Sequence, residues 1–215
     1  MVNFFIKYIY PVGFKISEEM SLNNIDLKQV DEYEEEILED REEAYFTTKM
    51  EGTWLYDESG PQFTADTKTS KGTVTFSLSH PNFSGPGPFP SPMSYGLFWI
   101  AGCVSSTFMT AAEKNRIRIK SLQTKIEADL NYTKQFDLGD EPLVGEYRIF
   151  FDVETDASDA EIEMLRRAAL DGCLAMYTIQ HAVPLNLTVS KKINYAEMTE
   201  KNQALSSISS LTSSS

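Results

Sequence analysis

A proline-rich loop that leads into a long apolar segment is the feature that most constrains how this chain can fold. The prolines of SHPNFSGPGPFPSP, at 79–92, exclude both a helix and a central strand. Ser91 can then act as a helix N-cap, and Pro92 suits the first helical position. We predict a helix from this point because apolar residues recur at helical spacing, at Met93, Leu97, Ile100, Ala101, Val104 and Phe108.

The predicted helix is apolar on nearly every side, because Phe98 and Trp99 extend its main apolar face. A helix of this kind is buried all round. In a chain of 215 residues, we expect it to lie at the centre of the core or in an oligomer interface.

Strand patterns flank this helix on both sides. Short segments rich in Thr, Phe and Trp, separated by turn residues, predict a strand meander within 45–78. GEYRIFFDVET at 145–155 and VPLNLTVSKKI at 183–193 predict two further strands. Between the helix and the strand at 145–155, apolar and polar residues alternate with a period of two. This alternation predicts a long, bulged strand with inward residues Ile117, Ile119, Leu122, Ile126, Ala128 and Leu130.

A second helix is predicted to begin at Asp156-Ala157-Ser158, where acidic residues follow in the first turn. Its apolar face contains Ile162, Leu165, Ala169, Cys173 and Met176. The element order therefore predicts an α+β fold with two helices against antiparallel sheet. Each helix carries one of the two cysteines of the chain, Cys103 or Cys173.

The ends of the chain differ from its middle. We expect an N-terminal extension with an acidic helical arm at 1–43, a main domain at 44–193, and a Ser-rich tail at 194–215. The net charge of −13 argues against nucleic acid and anionic membranes as partners. No apolar run reaches the length that a membrane span needs, so no membrane association is expected.

The cysteines admit two interpretations. No export signal is recognisable, so we expect a cytoplasmic location, where paired thiols are more often catalytic or metal-binding than structural. The spacings of the two cysteines and two histidines are not those of a chelating site, and no metal is expected. A buried cysteine is also an ordinary packing residue, so packing remains open beside reactivity.

Four segments resemble the OsmC/Ohr family of thiol-dependent hydroperoxide reductases and their relatives. GPGPFPSPMSYGLFWIAGCVSSTF is similar to the family's proline-rich loop and central helix, and AAEKNRIRIKSLQTKIEADL to the strand after it. YRIFFDVETDASDAEIEMLRRAALDGC resembles the next strand and the helix with the second cysteine, and HAVPLNLTV the closing strand. The resemblance runs from roughly Glu43 to Val189, and marks the chain as an atypical member.

The resemblance implies an intertwined homodimer whose central helices are buried and whose active sites lie between subunits. It implies a stress-response peroxidase in which Cys103 attacks an organic hydroperoxide and Cys173 resolves the sulfenic acid as a disulfide. An external dithiol would then restore the enzyme, and no bound cofactor is implied. The second thiol protects the first from irreversible overoxidation.

This sequence departs from the family pattern around the reactive thiol. Ser94 occupies the position where the family has a glutamate, and no arginine occurs between Tyr45 and Asn115. Lys49 is the candidate for charge stabilisation, although lysine lacks the planar fork of arginine. Phe89, Tyr95 and Trp99 are the candidates for an apolar substrate-binding surface.

A redox-inert protein of the same fold is the alternative function. It would be a dimeric ligand-binding or assembly protein that lacks peroxidase activity. Only the enzyme needs a depressed pKa at Cys103, because the thiolate is the nucleophile.

Overall fold

The computed structural model of the chain describes residues 21–80 and 88–191. The chain divides into two compact units, Met1–His181 and Ala182–Ser215. The first unit contains α1 (Leu27–Glu39), β1 (Glu51–Trp54), β2 (Phe63–Thr69), β3 (Gly72–Leu78), α2 (Pro92–Lys114), β4 (Ile119–Leu130), β5 (Val144–Thr155), α3 (Asp159–Gly172) and α4 (Leu174–Gln180). Short 3-10 turns follow α1 at Arg41–Ala44 and β4 at Lys134–Phe136. The predicted α+β class is confirmed.

The predicted meander is an antiparallel sheet in the order β1-β2-β3. Trp54 pairs with Phe63, and Phe63 pairs with Leu78, which fixes the register of all three strands. Gly72 lies at the turn between β2 and β3 with a positive φ of 134°, a backbone conformation that favours glycine. Because β1 begins at Glu51, Lys49 lies just before the first strand and not on it.

The long strands β4 and β5 form a separate antiparallel pair in which Leu122 faces Val153 and Ile126 faces Ile149. The register shifts between Ile119 and Ser121, so the predicted bulge is confirmed. Leu130 does not face inward as predicted, because a second shift precedes it and leaves it 36% exposed.

The core lies between one face of α2, the pair β4-β5, and helices α3 and α4. Phe108 of α2 meets Phe151 of β5 edge-to-face, with ring centroids 5.1 Å apart. The prediction that α2 is buried on every side is wrong for the single chain, since Phe98 is 73% exposed and Trp99 47%. A two-stranded sheet and two helices cover only one side of α2.

Helix α2 is also long and apolar enough, by length and composition alone, to cross a membrane. The expectation that the chain has no such segment is therefore wrong. A core helix meets the same criterion, and Ile100, Val104, Phe108 and Ala112 of α2 are buried against the rest of the domain.

The predicted helix starts are confirmed in detail. The Ser91 side chain accepts the backbone N–H of Ser94, and Ser158 and Glu161 form a reciprocal capping box at the start of α3. The second helix does not continue to Met176 as predicted, because the extended backbone of Cys173 separates α3 from α4.

The segment before α1 is anchored to the domain. Asn23 is buried, donates its side-chain amide to the Ile117 carbonyl at 2.9 Å, and accepts the backbone N–H of Ile119 at 2.9 Å. The predicted acidic helical arm is present as α1, and Lys114 of α2 forms an ion pair with Glu34. Asn23 therefore ties the predicted N-terminal extension to the domain at this point.

Within the second unit, the described residues 182–191 form no strand, so the predicted strand at 183–193 is wrong in its described part. Its alternating apolar side chains are largely exposed, at Val183, Leu185, Leu187 and Val189. The aromatic start of the chain and the Ser-rich tail at 194–215 lie outside the described residues. The three-region division stays a prediction.

Candidate active site

The two cysteines lie side by side where α2 packs on α3 and α4. Cys103 is near the middle of α2, and Cys173 is the single extended residue between α3 and α4. Both thiols are free, and their Sγ atoms are 3.2 Å apart. Residues 70 positions apart in the sequence are thus brought to within a small movement of a disulfide bond.

The two thiols differ in their access to solvent. Cys173 is only 2% exposed, whereas Cys103 is half-buried. A reagent from solvent therefore meets Cys103 first.

Burial raises the pKa of the Cys103 thiol above its ordinary value, and the neighbouring Cys173 acts in the same direction. Hydrogen bonds from the backbone N–H groups of Ala175 and Leu174 oppose this rise. Among the described residues, no basic side chain contributes to the shift. The polar groups that favour the thiolate are therefore backbone amides rather than a cation.

Lys49 is exposed and precedes β1, and no contact joins it to either cysteine in the part of the chain that the structure describes. Its assignment to charge stabilisation stays a prediction. Ser94, at the position of the family's glutamate, instead hydrogen-bonds with the N-cap Ser91.

The predicted substrate-binding residues lie at and before the start of α2. Trp99 lies one helical turn before Cys103 along α2, and it is 47% exposed. Tyr95 lies a further turn away, where its hydroxyl donates to the Ser77 carbonyl at 2.9 Å and joins α2 to β3. Phe89 is half-buried in the loop before α2. Of the three residues, Trp99 is the nearest to Cys103 along the chain, and the three binding roles stay predictions.

Sequence reasoning missed two residues beside the thiols, Thr107 and Gly172. The Thr107 hydroxyl donates to the Cys103 carbonyl at 3.0 Å. A Cβ atom on Gly172 would lie 3.4 Å from Cγ2 of Thr107. The only signal in the sequence is their spacing, since Thr107 is one turn after Cys103 and Gly172 immediately precedes Cys173.

Within 21–80 and 88–191, no group of three or more His, Cys, Asp or Glu side chains is placed to hold a metal ion.

The family model for OsmC-like proteins matches residues 85–188. This stretch is similar to OsmC-like proteins. The match includes the loop before α2, both cysteines and the segment after α4. The predicted family resemblance is confirmed.

Solved structures similar to this chain are distant in sequence. An OsmC-like protein from Mycoplasma pneumoniae is 19% identical, with a TM-score of 0.47 over 63% of this chain and 88% of that one. An organic hydroperoxide resistance protein OsmC from Legionella pneumophila is 16% identical, with a TM-score of 0.46 over 63% of this chain and 92% of that one. No curated protein matches the chain in sequence. The likeness to OsmC-like proteins in sequence rests on the match over 85–188.

Proposed function

We propose that this OsmC-like protein is a thiol-dependent peroxidase that reduces organic hydroperoxides. The observation that carries the proposal is the 3.2 Å approach of the Cys103 and Cys173 sulfur atoms inside the matched domain. Packing alone does not require two thiols to face each other across a helix interface. The resemblance to the OsmC/Ohr family implies a peroxide as the oxidant.

The proposed reaction has three balanced steps. The Cys103 thiolate attacks the distal oxygen of the hydroperoxide, which releases an alcohol after protonation and leaves a sulfenic acid. Cys173 then attacks the Cys103 sulfur, with loss of water, and a disulfide forms. An external dithiol reduces this disulfide by two thiol–disulfide exchanges and is itself oxidised.

The difference in burial supports this assignment of roles. A hydroperoxide from solvent reaches the half-buried Cys103 more readily than Cys173, which is 2% exposed. Cys173 needs only to reach its neighbour, so its burial does not impede the resolving step. Trp99, and beyond it Tyr95 and Phe89, provide apolar surface for the organic part of the peroxide.

We also propose that the working form is a homodimer and that the protein acts in the cytoplasm with no bound cofactor. The exposure of Phe98 and Trp99 on α2 supports a second copy, because apolar helix faces of this kind are normally covered. The exposed alternating apolar residues of 183–189 support it as well, because this pattern is typical of a segment that forms a strand once it pairs with another. Sedimentation equilibrium would give twice the chain mass of 24.3 kDa, and a monomer would refute this part.

The decisive experiment counts free thiols by mass spectrometry before and after one equivalent of tert-butyl hydroperoxide. Wild type should lose both thiols as a Cys103–Cys173 disulfide, and Cys103→Ser should lose neither. Cys173→Ser should gain one oxygen on Cys103, trapped with a sulfenic-acid reagent. Thiols of wild type that stay free for hours would refute the peroxidase.

If the thiols of wild type stay free, the alternative function is the correct one, a redox-inert dimeric ligand-binding or assembly protein of the same fold. A raised pKa of Cys103 is the observation that favours a redox-inert binding or assembly protein, because a protonated thiol is a poor nucleophile.

A further inference from the structure

We infer that the apolar cavity where α2, β5 and α3 meet is a binding site for an uncharged apolar molecule, about the size of a fused bicyclic ring. The inference goes beyond the proposed peroxidase and does not depend on it. Neither Cys103 nor Cys173 is among the described residues that line the cavity.

Three elements of the first unit build this cavity, which has a volume of about 310 Å³. Val104 and Phe108 line it from α2, Phe151 lines it from β5, and Arg166 and Ala169 line it from α3. Val104, Phe108 and Ala169 are each at most 3% exposed, so the cavity reaches into the core. A recess of this depth suits a small molecule better than the broad face of a second chain.

The cavity is larger than an ordinary packing defect. Protein interiors contain few voids larger than a water molecule, which occupies about 30 Å³ in the liquid. An apolar cavity of about 150 Å³ stays dry and binds benzene. The cavity of about 310 Å³ has about twice that volume, so it has room for a fused bicyclic ring or an aliphatic molecule of similar bulk.

The charges at the cavity favour a ligand without charge. Of the described residues that line it, only Arg166 carries a charge. Its Nε and Nη2 atoms donate to the Glu163 carboxylate at 2.6 and 2.8 Å, and Asp171 adds a second negative charge nearby. Hydrogen bonds from Arg166 and Arg167 lower the pKa of Glu163 to about 2, so this carboxylate is ionised at neutral pH. An anionic ligand would have to displace Glu163, and the net charge of −13 would repel it as well.

The test compares two probes with the same fused rings, 2-naphthol, which is uncharged at neutral pH, and 2-naphthoate, which carries one negative charge. In isothermal titration calorimetry of the full chain, one molecule of 2-naphthol should bind per chain with a Kd of about 100 µM or lower. Binding of 2-naphthoate should be at least about tenfold weaker. Glu163→Gln removes a charge that balances Arg166, so it should narrow this difference at least about threefold.

Variants locate the bound probe. Ala169→Leu places a larger side chain at the cavity and should weaken 2-naphthol binding at least about tenfold. Ala168→Leu is the matched control, because it makes the same change at a half-buried neighbour that is not among the described lining residues, and it should bind 2-naphthol like wild type. If Ala169→Leu does not fold, Val153→Phe, which fills the cavity from β5, should show the same loss of binding.

A wild type that does not bind 2-naphthol would overturn the inference. Binding that folded Ala169→Leu leaves unchanged, or that Ala168→Leu weakens equally, would overturn it too, because the probe would then lie outside the cavity. Equal affinity for 2-naphthoate and 2-naphthol would refute the uncharged class of ligand. Cys103→Ser should bind 2-naphthol like wild type, so the site can be confirmed even where the peroxidase is refuted.

Discussion

Replacement of Glu113 should destabilise the protein more than that of any exposed acidic residue. Its side chain is fully buried near the end of α2, where the two carboxylate oxygens accept the backbone N–H groups of Leu22 at 3.1 Å and Asn23 at 2.8 Å. Arg116 donates to the same carboxylate at 3.2 Å. Glu113 is therefore the buried acceptor that fastens the segment before α1 to the domain.

The magnitude follows from these contacts. A hydrogen bond to a charged group contributes about 1.5–3 kcal/mol, and Glu113→Ala removes two from buried or partly buried backbone donors. Arg116 has a side chain that is 38% exposed, so water can compensate for most of the lost ion pair. We expect the free energy of unfolding to fall by about 3–5 kcal/mol for Glu113→Ala, and by less for Glu113→Gln, which keeps one acceptor oxygen.

Urea unfolding followed by far-ultraviolet circular dichroism measures these losses. Glu146→Ala is the control, because Glu146 is exposed and its ion pair with Arg148 should contribute less than about 1 kcal/mol. Asn23→Ala should couple to Glu113→Ala in a double-mutant cycle, since the two residues fasten the same segment. If Glu113→Ala lowers the free energy of unfolding no more than Glu146→Ala does, the hydrogen bonds between Glu113 and the segment before α1 do not stabilise the fold.

Three further predictions concern the thiols, the core and a helix start. The rate of alkylation of Cys103 by iodoacetamide should reach its midpoint at a higher pH than that of an ordinary thiol, because burial raises the pKa of Cys103. A rate profile centred below pH 8 would contradict this. The neutral Cys103 thiol should stabilise the folded protein in full at pH values below the pKa that Cys103 has in the unfolded chain. This stabilisation should be lost as the pH rises through the higher pKa that Cys103 has in the folded protein. Phe108→Ala should cost about 3–5 kcal/mol in urea unfolding, since Phe108 is 2% exposed and packs on Phe151. Ser158→Ala should cost about 1 kcal/mol by the same assay through loss of the capping box, and a loss below about 0.3 kcal/mol would contradict it.

Local features of the fold were predictable because their causes are local. Ser91 and Pro92 fix the start of α2, and Ser158 and Glu161 fix the start of α3, through contacts within one helical turn. The bulge at the start of β4 was visible as a break in the two-residue alternation.

The features that sequence reasoning missed depend on distant partners. In the sequence, Glu113 looks like an ordinary charged residue at a helix end. The backbone N–H groups that donate to its carboxylate lie 90 and 91 positions away. The exposure of Trp99 depends on how many strands and helices pack around α2. The helical spacing of apolar residues in the sequence does not give that number. The break at Cys173 interrupts an apolar face whose spacing continues through it. The candidate site was therefore predictable as a pair of cysteines, but not its supporting residues.

The geometry of the thiols also determines which step of the proposed reaction should limit its rate. The raised pKa of Cys103 leaves little thiolate near neutral pH, so attack on the hydroperoxide should be slow. The second step begins with sulfur atoms only 3.2 Å apart, so resolution by Cys173 should be fast. Sulfenic acid should then be undetectable in wild type during turnover and accumulate in Cys173→Ser. Trapping with dimedone tests this directly, and strong labelling of wild type would show that the two thiols are not preorganised for closure.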